Sequence, residues 1–544
     1  MISFSRLKNL VFLHLQHLPM PSRKYRPLFA KWGGVNVLNF RNTFIGENVV
    51  FDTNYPNDII IEEKVTLTVG CTIVTHFVEV GNQRERFYSR GKVRLCEGAY
   101  IGANTIICKP VEIGKYSIVG AGSVVTKSIP PYEIWAGNPA KFIKNGKLII
   151  DSFLSLKRYC ESEGFKGWDP YDGLNSRLAH ALLPLKRSAI LRLCVIQGFK
   201  RSPVNLRRLA MVPKEYNAKG IGLFLQGYCN LVRAVDKFPE LQAEVGTRQE
   251  LLARVRELAD LLISLQSEGY SGACWGYNFD WQARRLFLFP KFTPTVVATC
   301  FCATALMEAY EVTGERGYLD VALSSADFVM NDLHRAECRG GFLFSYSPLK
   351  GNDTVFNASL LGSKLLAYCY KYTKKEEYRE AARRSVEACC DAQGDAGEWV
   401  YGKLPVQSWI DSFHTGYNLD GLTAYEEQTG DKSFHSNIEK GFDFYIRNFF
   451  EADGTPKYYH DRTYPIDIHC PAQLFVTLHK LHRSDEYRAE AERVMRWTVE
   501  NMQDRRGYFY YQLKQGVSSK ISYMRWSNAF MFCAMSYYIL DYGK

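Results

Sequence analysis

His76 closes the run Ile73–His76, immediately before a charged stretch from about Phe77 to Lys92. An imidazole titrates near neutrality, so it can take a proton from a hydroxyl and hand it to a departing group. A second set of polar residues gathers far down the chain: Asp280, Arg284, Asp353, Asn357, Asp411, His414, Asp461, Asp467, His469 and Arg525. Trp275, Tyr277, Trp281, Tyr346, Trp409, Tyr417, Tyr458, Tyr459, Tyr464, Tyr510 and Trp526 stand on the same Gly-rich stretches. Flat rings suit the apolar faces of sugars, and their polar edges bond hydroxyls. Two carboxylates, or His with Tyr, can run hydrolysis, epimerisation or β-elimination. The same Asp, Asn and His also cap helices and turns, so binding without catalysis stands beside a second activity.

The elements that hold His76 follow from a period of six. From Leu95 the chain reads LCEGAY IGANTI ICKPVE IGKYSI VGAGSV VTKSIP, with Leu95, Ile101, Ile107, Ile113, Val119 and Val125 opening the hexads. That period fits neither a helix nor a lone strand. It fits a parallel β-helix of triangular section, each hexad forming one face and its opening aliphatic pointing inward. Gly102, Gly114 and Gly120 are expected where a side chain would obstruct the turn or its stacked neighbour. Ile61, Leu67 and Ile73 extend the rhythm upstream.

The segment IGANTIICKPVEIGKYSIVGAGSVVTKSIPPYEIWAGNPAKFIK resembles the end of a hexapeptide-repeat acyltransferase, the left-handed β-helix family of serine, maltose and sugar O-acetyltransferases. The resemblance covers roughly residues 30 to 145. It implies an acetyl-CoA-dependent transferase, commonly a homotrimer with its site in the groove between coils. It further implies His76 as general base, and backbone around Ala103, Gly120 and Ala121 along the pantetheine arm. Lys127 and Lys141 would meet CoA phosphates, and Asn104 would lie near the thioester. The family often has Trp before the IGAN-like motif, where this chain has Tyr100.

After Phe142 the six-residue rhythm gives way to helical spacing. Between Asn217 and Lys544 amphipathic helices alternate with aromatic-rich irregular stretches at intervals of about 50 to 70 residues, which predicts about six helix hairpins closed into an (α/α)6 toroid. This part resembles the six-hairpin toroids of carbohydrate-active proteins, including the helical part of glucuronyl C5-epimerases, polysaccharide lyases and glycosidases. The resemblance implies the fold and a carbohydrate substrate class; the residue types gathered on the loops offer Trp275, Tyr277, Asp280, Arg284, Asp411, His414, Tyr417, Tyr464, His469 and Arg525 as a glycan-binding cup or second site. Residues 146–216 read as a connector, and 1–29 as an amphipathic helical segment leading into the coil.

With 544 residues, 46% hydrophobic and 23% charged, the chain is a multidomain β + α globular protein. Residues 1–150 carry 19 Lys and Arg against 10 Asp and Glu, so +9 of the net +11 lies there. A solvated basic face, CoA phosphates, an acidic glycan or the anionic inner leaflet all suit that charge. No nucleic-acid module accompanies it. The N-terminus has neither the length of a span nor a small-residue cleavage site. Fifteen scattered cysteines without C-x-x-C pairs predict reduced thiols, a cytoplasmic location and no metal. The reading that unites these features is an O-acetyltransferase of a bacterial surface polysaccharide, capsule or O-antigen, or its precursor, with peripheral inner-membrane contact allowed. A bifunctional enzyme acting on uronic-acid units and a non-enzymatic trimeric scaffold are the alternatives.

Overall fold

The computed structural model describes residues 4–15, 17–18, 25–80, 86–145, 148–185, 188–282 and 288–543. Its contacts divide the chain into two compact units, Met1–Leu148 and Ile149–Lys544.

The first unit opens with helices α1 (Phe4–Leu15) and α2 (Tyr25–Trp32), which place Leu13 and Ala30 in the core of the coil that follows. Three faces of short parallel strands make that coil. Asn36–Val37, Ile59–Ile61, Val93–Leu95 and Glu112–Ile113 stack on the first face; Phe44–Ile45, Thr66–Leu67, Tyr100–Ile101, Ile118–Val119 and Glu133–Ala136 on the second; Val50–Phe51, Thr72–Ile73, Ile106–Ile107 and Val124–Val125 on the third. Ile101 pairs with Val119 one 18-residue circuit later, whereas Leu67 reaches Ile101 only after a circuit enlarged by the excursion. Ile61, Leu67, Ile73, Leu95, Ile101, Ile107, Ile113, Val119 and Val125 are all buried, which is the inward column that the hexads predict. Lys141–Asn145 ends the coil by pairing antiparallel with Glu133–Ala136.

The corners separate two demands on the backbone. Lys64, Gly70, Gly98, Asn104, Tyr116 and Gly122 take positive φ, each three residues after an opening aliphatic. Gly102 and Gly114 do not, yet a methyl group there would lie 2.5 Å from the Ala121 amide nitrogen and 2.3 Å from the Pro131 nitrogen. Their role is close stacking of one circuit on the next, while the turn itself is made two residues later.

The second unit begins with α3 (Leu148–Ser162), followed by α4 (Arg177–Leu182) and α5 (Ala189–Arg201). Then come α6 (Ala218–Lys237), α7 (Gln242–Val245), α8 (Arg248–Ser264), α9 (Val296–Thr313), α10 (Arg316–Asp327), α11 (Phe356–Thr373) and α12 (Glu376–Cys390). The last five are α13 (Ser412–Thr429), α14 (His435–Phe449), α15 (His469–Lys480), α16 (Arg488–Met502) and α17 (Phe530–Tyr542). Helices α6, α9, α11, α13, α15 and α17 touch in that order, and α17 returns to α6, so six inner helices close a ring. Asn217, Thr295 and Asp411 cap α6, α9 and α13 by accepting first-turn amides.

Outside this ring, α8, α10, α12, α14 and α16 pair with their inner neighbours. The sixth outer position belongs to α3. Phe153 packs on Phe532 of α17 at 5.1 Å, Glu161 accepts from Tyr228 of α6 at 2.7 Å, and Ser152 bonds Gln503 at 2.7 Å. The (α/α)6 toroid therefore starts at α3, and the stretch read from sequence as a connector over 146–216 contains its first helix. Helix α9 is apolar enough to cross a membrane by composition, but it is an inner helix of the ring and 67% buried. All fifteen cysteines are free thiols.

Candidate functional site

His76 stands where the third face turns toward the first, at the start of a hairpin in which His76–Val80 pairs with Arg86–Arg90. Phe51 registers with Ile73, so Asp52 lies one circuit below on the same corner. Asp52 is buried and accepts from His76 Nδ1 at 2.5 Å. Its oxygens also receive the Thr75 amide and hydroxyl, at 2.9 and 2.8 Å, and the Asn54 amide at 2.9 Å. Burial acts to raise the Asp52 pKa; the bonds from the Thr75 amide and from His76 outweigh it and hold the carboxyl down at about 2. An ionised Asp52 on Nδ1 fixes the tautomer that leaves the Nε2 lone pair available. Tyr55 packs edge-on to His76 at 5.9 Å, and Arg90, paired with Asp58, lies 4.1 Å over the Tyr55 ring. Sequence reasoning names His76 and does not name the Asp52 that the structure sets against it. The six-residue step is broken between Phe51 and Ile61, ten positions apart, so the rhythm does not carry Asp52 to this corner; the strand register does.

The other residues expected in the coil distribute over two corners. Lys127 is exposed on the His76 corner, two circuits along, which at about 4.8 Å per strand is roughly 10 Å. Ala103, Asn104, Gly120 and Ala121 occupy the corner between the second and third faces, so one chain does not bring them to His76. The Ala103 carbonyl accepts from the Gly122 amide at 2.7 Å. Asn104 is a left-handed corner residue packed against Gly70, a position its fold role explains. Lys141 is exposed on the closing strand.

At the ends of the inner helices the second unit gathers a different set. Asp411 caps α13 through the His414 amide at 3.0 Å, and also accepts from His414 Nδ1 at 2.7 Å and Trp409 Nε1 at 2.9 Å. Phe413 lies 5.0 Å from the His469 ring and 5.9 Å from that of Tyr417. Trp526 lies 4.3 Å from His469 and donates to Asp467 at 2.9 Å. Arg525 sits 5.2 Å from the Tyr277 ring. Tyr277, Asp411, His414, Tyr417, His469 and Arg525 thus form one cluster. Burial pushes Asp467 up to about 6 and His469 well below its usual value.

Three expected residues stand elsewhere. Trp275 is fully buried with its indole N–H bonded to the Leu262 carbonyl at 2.8 Å, so it fills core and offers no face to a sugar. Asp280 accepts the Lys291 amide at 2.8 Å as a turn residue. Tyr464 is exposed on its loop. Arg284 lies outside the described residues.

The cluster also holds residues that sequence reasoning did not name. Lys219, buried in the first turn of α6, directs its ammonium at the rings of Phe301, Tyr417 and Phe530, at 4.1, 5.2 and 4.9 Å. Asp169 and Tyr171 enter from the segment after α3: Asp169 is bound by both Nε and Nη2 of Arg525, at 2.6 and 2.9 Å. A lysine at the head of a helix and an acid in a Trp-Asp-Pro run carry no periodic signal, which is why they were invisible.

Comparison with known proteins agrees with this division. Residues 92–127 match the family model "Bacterial transferase hexapeptide (six repeats)", and residues 298–462 match "Glycosyl hydrolase family 76". A provisionally named acetyltransferase of Staphylococcus aureus (strain COL) is 34% identical over 111 residues, 20% of this chain and 56% of the relative. A galactoside O-acetyltransferase of Lactococcus lactis is 32% identical over 120 residues, 21% of this chain and 55% of the relative. The chain thus spans little more than half the length of these relatives. A crystal structure of a family 76 glycoside hydrolase from a bovine Bacteroides thetaiotaomicron strain is 11% identical with TM-score 0.49, covering 75% of this chain and 82% of that one. The first unit therefore carries the hexapeptide repeat of bacterial transferases, and the second is a toroid similar over half its helices to glycosyl hydrolase family 76.

Proposed function

We propose that the protein is an acetyl-CoA-dependent O-acetyltransferase acting on a glycan, and that the toroid holds the acceptor chain. The observation that carries this reading is the His76–Asp52 pair at the corner of a hexapeptide coil. Acetyl-CoA supplies the activated acetyl group. His76 Nε2 takes the proton of an acceptor hydroxyl as its oxygen bonds the acetyl carbon, and returns that proton to the sulfur as the C–S bond breaks. The small residues Ala103, Gly120 and Ala121 leave backbone open along one corner, and exposed Lys127 and Lys141 suit phosphate groups. A homotrimer built through the coil would bring the two corners, held apart in one chain, into one site.

The acceptor in this reading is a bacterial surface polysaccharide, capsule or O-antigen, or a precursor of one. The enzyme would work in the cytoplasm, with the exposed Leu7 and Val11 of α1 available to the inner membrane. A second reading, in which the toroid also epimerises, cleaves or eliminates, is favoured by Asp467 at about 6 beside a buried imidazole. Incubation with acetyl-CoA and capsule or O-antigen fragments, followed by mass spectrometry, tests both. An acetyl mass added supports transfer and its absence on every acceptor rejects it; a change in chain length or unsaturation reveals toroid chemistry.

A further inference from the structure

Tyr171 occupies the mouth of the aromatic cluster. Its ring lies 5.5 Å from Trp526 and 6.3 Å from Trp281, and its hydroxyl receives Lys200 Nζ at 2.6 Å. Two residues earlier Asp169 sends its carboxylate to Arg525, which grips both oxygens in the paired geometry that a guanidinium offers a carboxylate. A six-membered ring between indoles, a hydroxyl on an ammonium and a carboxylate on a bidentate arginine together outline a hexuronic acid residue.

We infer that Asp169 and Tyr171 are an internal ligand, seated where the toroid takes a uronic-acid residue of an acidic glycan. Arg525 receives the sugar carboxylate, Trp281 and Trp526 flank its ring, and Lys200 bonds one hydroxyl. The inference rests on the reading that the toroid holds glycan and names the sugar class that it takes.

The imperfection of the mimic supports the assignment. A tyrosine carries one hydroxyl where a sugar carries several, and two buried polar atoms of the cluster, Tyr417 Oη and His469 Nδ1, have no hydrogen-bond partner within the described chain. Such atoms are costly to leave unpaired. Asp169 and Arg525 are both buried and paired with each other, so ligand and segment exclude each other. Buried Arg207 holds the middle of the segment, donating to the Asp169 and Pro170 carbonyls at 2.8 and 3.3 Å and to Asp172 at 2.6 Å, while Trp168 and Asn175 tie its ends to the Val212 and Asn278 carbonyls at 2.9 and 3.0 Å. Lifting it about Arg207 uncovers Arg525 and both tryptophans at once.

The test is chemical rescue in the full-length double variant D169A/Y171A, which leaves Arg525 without its carboxylate. Glucuronate should raise the melting temperature saturably by about 2 °C or more, while glucose and acetate at equal concentration give less than half of that. Equal shifts for glucose and glucuronate, for acetate and glucuronate, or no shift with any of them overturn the assignment. Should the variant not fold, the unmodified protein decides the matter. A glucuronate oligosaccharide should speed hydrogen exchange across 168–175, and unchanged exchange up to its solubility limit rejects the internal ligand. Acetyl transfer is read separately by CoA release, so failure of the uronate site and failure of the transferase reading are distinct results.

Discussion

In the proposed transfer Asp52 would orient His76 and balance the positive charge that the ring acquires on taking a proton, so the two residues would act as one base. His76→Ala should lower kcat about 100- to 10,000-fold with folding intact. Asp52→Asn should lower kcat on the order of 100-fold or more with little change in acceptor KM. Steady-state kinetics on the two variants checks both, and a His76→Ala protein at wild-type rate would sink the assignment. Because Asp52 stays ionised down to about pH 2, loss of activity between pH 4 and 7 cannot come from its protonation. Asp467 has the opposite sign. Its folded value near 6 stands above the ordinary 3.8, so the folded protein holds a proton that the unfolded chain releases between about pH 4 and 6. The stabilisation from that proton is present below pH 4 and fades as pH rises through 6, by on the order of 2–3 kcal/mol. Melting curves of wild type and Asp467→Asn should therefore show the wild-type advantage shrinking from pH 4 to pH 7.

A strand of two residues cannot hold itself straight, so the coil depends on its corners, and its glycines answer to two separate requirements. Gly114→Ala drives a methyl group into the Pro131 backbone and should cost about 1–3 kcal/mol or more. Asn104→Gly relieves a strained left-handed residue and should leave the melting temperature near that of wild type. Calorimetry on the two variants separates the demands. The coil was legible because its period is short and covalent in origin: each sixth residue must enter a core too narrow for anything but an aliphatic. What the rhythm hid is the pairing across circuits, by which Asp52 reaches His76 over 24 positions of sequence. In the toroid the hairpin count was legible from amphipathic spacing. Which aromatics face the cup was not, because nothing local separates Trp275 from Trp526 and only three-dimensional packing buries one under α8 and sets the other against His469. Likewise α3 carries an ordinary apolar stripe, and nothing local says that it closes the ring beside the last helix.

Two units on one chain make the acceptor's length the variable that reports on their cooperation. Tethering raises the effective concentration of a second binding event only for ligands long enough to meet both sites. If the toroid holds the polymer, replacing Arg525 with Ala should weaken acetylation of long acidic chains about tenfold more than that of a monosaccharide, since losing one buried polar partner costs roughly 1–3 kcal/mol. Kinetics on a length series in wild type and variant measures the difference, and equal losses would return the toroid to a passive role.

A stacked coil of parallel strands is by nature an unfinished structure, because its last circuit offers the same row of amides and carbonyls that received the one before. Here, on the second face, that row is spent on a strand running the other way: Lys141–Asn145 lies antiparallel on Glu133–Ala136, where a further circuit would have to lie parallel. The hairpin thereby sets the number of turns, much as a terminator sets the length of a polymer. Disrupting it by Phe142→Pro and Ile143→Pro should leave the inward column of aliphatics intact while exposing the Glu133–Ala136 edge. The expected product is a coil that adds to copies of itself end to end, seen as rods by electron microscopy and as a rising, concentration-dependent mass in light scattering. A variant that keeps the wild-type mass at every concentration would show that the terminal circuit is closed by something other than this reversal of direction.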